Sequence, residues 1–279
     1  MKLFANVLTE VQQLIQSCRD KLYRSLEVAD SPLEDHLRTI RYLLDLDATV
    51  HPVWHMVTRH QKTFIASMQS YSDSYRQKVA SIKQAQTRES GWNVEEREST
   101  IRQNDMVDED AALISNTAAK LVKQLCKLIS SRVPVLWRLA IGYLQGKFTG
   151  GGDPVTHTES EFEQLVIELL YVFDKMVRSV MNLNSEQSTS DAMLPSDMRD
   201  CVVLLAATLK DLGSLGMRET CTQPLSTLLE DARTVLVQAA CNRAKEEILM
   251  LVNTVSRLSQ VATLADRFHT IVTAMLQGI

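Results

Sequence analysis

Glycine and proline are scarce in this chain: nine and six, respectively, in 279 residues, gathered at a few points instead of scattered. So few breakers imply few, long elements joined by short breaks. Strand-period alternation of convincing length is missing, and no fixed repeat of about 20 to 50 residues recurs, which argues against a sheet and against an obvious solenoid array. Positive charge is not in surplus either. With 30 Lys plus Arg against 34 Asp plus Glu the net charge is -4, so there is no broad field to attract nucleic acid or anionic lipid. The longest apolar run lies near 201–209, far short of the roughly 20 residues that span a bilayer. At the start, Asn6, Thr9 and Glu10 interrupt 1–11, so no secretory signal is read there. Cysteine is sparse and odd in number: Cys18, Cys126, Cys201, Cys221 and Cys241. Their spacing and apolar neighbours suit free thiols acting as small hydrophobes in a reducing compartment, with the cytosol as the expected location.

What is present is helical. Apolar residues make up 45% and charged residues 23%, an ordinary globular mixture with enough chain to bury a sizeable core. Leu3, Val7, Val11, Leu14, Cys18 and Leu22 recur every three or four residues, predicting a first helix that ends at Asp30 and Ser31. Ser31, Pro32 and Glu34 read as a capping box with proline at the first helical position, leading Leu33, Leu37, Ile40 and Leu44. Pro52 opens a third helix carrying Val53, Met56, Val57, Phe64 and Met68, whose pattern turns polar near 81–90.

The stretch 89–110 is charged and poor in apolar residues, predicting a disordered linker, with a fourth helix resuming near Asp110. That helix buries Leu121, Val122, Leu125, Leu128 and Ile129, bends at Pro134 and persists to Gly146. After the linker at 150–154, Thr158 and Glu161 form a second capping box ahead of Phe162, Leu165, Leu169, Phe173, Met176 and Val180. Pro195 restarts a helix that Gly213 and Gly216 end, and Pro224 opens the longest one, roughly 50 Å at about 1.5 Å per residue. The expected organisation is all-α: elongated stacked bundles, with 1–148 as a first bundle containing the 89–110 linker and 149–279 as a second.

Candidate chemistry is thin. His51, His55 and His60 suggest a metal cluster, and a helical hydrolase using bound zinc is the enzyme alternative, but HPVWH lacks the glutamate of an HExxH site and no further ligand is recognisable. Gly150 to Gly152 are not followed by the Lys-Ser or Lys-Thr of a phosphate loop. Cys126 and Cys201 sit within apolar stripes, where a thiol is inert. The acidic pairs at Asp45 and Asp47, and at 108–110, have no loop to hold a divalent ion and read as helix-end charges. Trp54, Trp137, Leu44 and Phe173 are read as core anchors. Lys120, Lys123, Lys127 and Arg132 form a basic strip that is a candidate interaction surface, with a solvated face as the simpler reading. No reaction, metal or cofactor is expected.

Two blocks carry a family likeness. HLRTIRYLLDLDATVHPVWHMVTRHQKTFI (36–65) resembles a block of the exocyst complex component 2 family, the Sec-five subunits: an IRYL-x-DL run, a Pro-x-Trp helix start, then a Gln- and Lys-containing continuation. KLVKQLCKLISSRVPVLWRLAIGYLQGKF (120–148) is similar to the same family's KL-x-KL helix leading to Pro-x-x-Trp and a Tyr-x-x-Gly end.

The resemblance implies a helical rod of the multisubunit tethering type. The partners it implies are the other exocyst subunits, and the role is to hold secretory vesicles at the plasma membrane before fusion, with only indirect membrane association and no catalytic step. The family's amino-terminal immunoglobulin-like module is not matched, so Ral GTPase binding is not expected of this chain, which reads as a fragment or a short gene product. The alternative is an unrelated cytosolic helical adaptor that binds one partner helix through an apolar groove.

Overall fold

Helices account for all of the regular structure in the computed structural model, which describes residues 2–28, 31–46, 51–90, 100–148, 157–183, 193–255, 270 and 273. Among the described residues seven helices follow in order: α1 (Lys2–Leu26), α2 (Leu33–Asp45), α3 (Pro52–Ser90), α4 (Thr100–Leu144), α5 (Glu159–Val180), α6 (Pro195–Gly213) and α7 (Glu219–Val255). The described residues contain no strand, in line with the all-α expectation.

Local chemistry fixes many of the ends. Pro52 is the first residue of α3, and the His51 imidazole accepts the Val53 backbone N–H through Nδ1 at 3.3 Å, satisfying one donor that a helix start leaves over. At α5 the glutamate half of the capping box forms: the Thr158 backbone N–H donates to the Glu161 carboxylate at 2.7 Å, and the Thr158 hydroxyl donates to the same carboxylate at 3.2 Å. These donors hold the Glu161 carboxyl below its usual range. Left-handed residues follow three helices, Gly216 (φ 69°) lying in the turn after α6 and the other two making a common closing bond. Gly146 (φ 72°) follows α4, where the Lys147 N–H reaches the Gly142 carbonyl, and Asn182 (φ 53°) follows α5, where the Leu183 N–H reaches the Arg178 carbonyl. Both are the six-to-one bond of a Schellman ending.

Several boundaries differ from expectation. Pro32 is the N-cap of α2, and no side chain caps that helix, so the Ser31 box does not form. Helix α3 keeps its hydrogen bonds through the polar 81–90 stretch, and α4 begins at Thr100 instead of near Asp110. The predicted linker is therefore helical at 89–90 and 100–110, while 91–99 lies outside the described residues. Polar composition lowers the prospect of burial, but it does not break a backbone ladder that has no proline or glycine in it. Helix α7 starts at Glu219 with Pro224 inside its second turn, and among the described residues the longest helix is α4, at 45 residues with Pro134 in its interior. The predicted linker at 150–154 also lies outside the described residues.

Packing sorts the chain into two compact units. One comprises Met1–Ser70, Lys127–Phe173 and Asp211–Thr222; the other comprises Tyr71–Cys126, Asp174–Lys210 and Gln223–Ile279. This grouping differs from a sequential division at 148/149, because the boundaries fall inside α3, α4, α5, α6 and α7 instead of in the linker. The first unit is built around fully buried Leu26, Ile40, Leu43, Met56, Leu169 and Phe173, with Tyr143 and Phe162 at 0% and 1% exposure. The second buries Leu121, Val122 and Leu125 of α4 with Cys201 and Leu205 of α6 and Leu225, Leu228 and Ala232 of α7. On α1 the apolar stripe is open over most of its length: Val7, Val11 and Leu14 are exposed, and burial is complete only at Leu26.

Candidate interaction surface

The histidines that suggested a metal site are spread among separate partners in the first unit. His51 packs edge-on to Tyr143 with ring centroids 4.5 Å apart. His55 lies beside Tyr23 and faces Glu27 at 3.7 Å. His60 is buried, with Nε2 2.7 Å from the Leu26 carbonyl and its ring edge-on to buried His36 at 5.3 Å. Burial pushes the pKa of His36 and His60 down, and at His60 the neighbouring His36 lowers it further. Among the described residues, no three His, Cys, Asp or Glu side chains converge as metal ligands do.

The aromatic residues divide. Trp137, 3% exposed, donates its indole N–H to the Leu215 carbonyl at 3.2 Å. It also lines a small cavity of about 10 Å³ together with Val57, Gln61 and Phe162. Trp54 is half-buried and stacks on His157 at 3.9 Å, with Phe162 edge-on at 5.2 Å. Of the other two expected anchors, Phe173 is fully buried. Leu44 stays partly exposed while its neighbour Leu43 takes the core position.

Thiols follow burial. Cys126, Cys201 and Cys221 are buried and Cys18 and Cys241 exposed, all of them free. Desolvation pushes Cys126 up to about 11 and Cys201 up to about 12, so neither is a ready nucleophile. Cys126 meets the Thr208 hydroxyl.

The residues of the basic strip, all on α4, divide between the two units. Arg132 is held over the Phe64 ring, 5.7 Å from its centroid, and belongs with Lys127 to the first unit, whereas Lys120 and Lys123 belong to the second. Those two lysines are exposed and line an open groove whose far wall carries Asp197, Asp200 and Val203 of α6. Sequence reading missed the α6 residues, since the only signal was that 197, 200, 201 and 204 share a helix face, and nothing in a linear sequence says which helix lies beside α4. No described helix is long and apolar enough to cross a membrane.

Comparison with known proteins agrees with the family resemblance. The family model for exocyst complex component Sec5 matches residues 1–254. Human exocyst complex component 2 is 23% identical over 302 aligned positions, covering 90% of this chain and 31% of that protein. Arabidopsis thaliana exocyst complex component SEC5A is 22% identical over 189, covering 61% of this chain and 17% of that protein. The chain thus spans less than a third of the length of these relatives. No solved structure matches it. A family match that runs through all seven helices is too extensive to be a shared motif, and the chain belongs to the Sec5 family of exocyst complex components.

Proposed function

We propose that this chain is a structural section of an exocyst subunit, a helical scaffold that binds other exocyst subunits and helps hold secretory vesicles at the plasma membrane before fusion. The observation that carries the reading is the extent of the family match, residues 1–254. Packing supports it. Buried imidazoles and thiols are committed to neighbouring carbonyls, rings and hydroxyls, which favours a structural role over a catalytic one. Residence in the cytoplasm, with recruitment to sites of exocytosis through partner subunits, belongs to the same proposal.

The test is reconstitution. Each of the other exocyst subunits, purified singly, is offered to this chain and binding is read by sedimentation. Stoichiometric association with at least one subunit is expected. Association with none, at micromolar concentrations of folded protein, would overturn the reading in favour of an unrelated helical adaptor.

A further inference from the structure

Within the second unit, α4 and α6 lie side by side and run in the same direction: Ser115 bonds to Asp197 near the start of the shared stretch, and Cys126 meets Thr208 near its end. The open groove along this pair holds about 450 Å³. On α4 its wall is Asn116, Ala119, Lys120 and Lys123, spaced i, i+3, i+4 and i+7. On α6 the spacing repeats in Asp197, Asp200, Cys201 and Leu204. Ridges at this spacing are what a third helix packs against, and the seven-residue step along each wall spans about 10 Å, or two turns.

Charge narrows the occupant further. Exposed Lys120 and Lys123 form one wall, Asp197 and Asp200 the other, and among the described residues Lys120, Lys123 and Asp200 take part in no ion pair. The lip is apolar, with Val203 62% exposed. A polyanion would be attracted by one wall and repelled by the other.

We propose that this groove seats two turns of an amphipathic helix from another protein subunit, with small apolar residues along its seam, carboxylates toward Lys120 and Lys123, and a basic residue toward Asp200. Opposite charge rows on opposite walls accept such a helix in one rotational setting and reject its mirror arrangement, so they act on specificity. Identifying the donor as an exocyst subunit rests on the function proposed above.

The experiment uses the full chain and the other exocyst subunits, purified one at a time, as probes. For the subunit that binds, the double variant Lys120→Glu/Lys123→Glu should weaken binding at least about tenfold. Lys120→Arg/Lys123→Arg should stay near wild type, and reversing carboxylates on the partner helix should restore the Glu variant. A photo-crosslinking residue at Val203 should capture a helical, acidic-flanked segment of that subunit. Its position on the exposed lip makes the crosslink readable even if the double variant folds poorly. Wild-type binding that charge reversal leaves unchanged, or a Val203 crosslink to a non-helical segment, overturns the groove proposal alone. Wild type that binds no subunit overturns it together with the proposed function.

Discussion

The indole N–H of Trp137, on α4, donates to the backbone carbonyl of Leu215 in the turn between α6 and α7, a bond of 3.2 Å joining positions 78 residues apart. It ties a buried ring to the turn that follows α6, so one side chain both fills core volume and holds that turn in place.

Trp137→Ala should therefore cost about 3 to 5 kcal/mol by opening a cavity in the first unit. Trp137→Phe should cost about 1 to 2 kcal/mol, losing the hydrogen bond and part of the ring. Urea denaturation of both variants measures this, and an unchanged midpoint for Ala would show that the ring is dispensable.

The His36–His60 pair should make stability fall with acid. Each imidazole is buried and its pKa lies below the ordinary 6.5, so between the unfolded and folded pKa values the unfolded chain binds more protons. The contribution is complete above about 6.5 and is lost as pH falls through the lower folded values. Asp35 offsets it slightly at His36, while Arg132 adds to it at His60. Chemical denaturation from pH 7.5 to 5 should give a shallower slope for His60→Gln than for wild type. Equal slopes would place the proton uptake elsewhere.

Arg178 reaches Asp174 at 2.7 Å and Asp231 at 2.6 Å in the second unit, joining α5 to α7. Asp174 is the less exposed of the two carboxylates, and burial already pushes its pKa up. Arg178→Ala should cost about 2 to 4 kcal/mol by stranding that charge. Asp231→Asn, at a more exposed site, should cost about 1 kcal/mol or less. Thermal melts of the pair should rank them in that order.

Ser115 accepts the Leu194 N–H at 2.9 Å and donates to the Asp197 carboxylate, capping the start of α6 from a neighbouring helix. Ser115→Ala should cost about 1 to 2 kcal/mol, and hydrogen exchange at 193–198 should quicken more than elsewhere. Uniform protection would show that α6 caps itself.

At Gly142 an added Cβ would stand 2.8 Å from Cε2 of Phe148, whose ring folds back over α4. Gly142→Ala should lower the melting temperature although alanine is the better helix former; a higher one would mean that the ring has room to move.

Where the sequence was legible, a strong local rule was at work. Pro52 and the Thr158–Glu161 box place the starts of α3 and α5 because a proline ring or a capping carboxylate acts within one turn. Where it misled, a local signal met no competing tertiary penalty. Thr100 to Asp110 is polar yet continues into α4, and Pro224 sits inside α7 because five residues before it already form a turn. Exposure was the harder quantity: Val7, Val11 and Leu14 obey the same spacing as Phe162, Val166 and Leu169, yet only the second set is buried. The candidate groove was half legible, since the lysines stand out on α4 while their acidic counterparts belong to a helix far along the chain.

By itself, the sequence determined that this protein is helical, where most of its helices begin, and which family it belongs to, because those follow from periodicity, capping chemistry and residue identity within short windows. Only the tertiary structure decided that α4 runs beside α6, that Trp137 reaches Leu215, that His36 meets His60, and which apolar stripes stay open. Those pairings are settled by side-chain packing between segments far apart in the chain, a choice that local periodicity leaves degenerate.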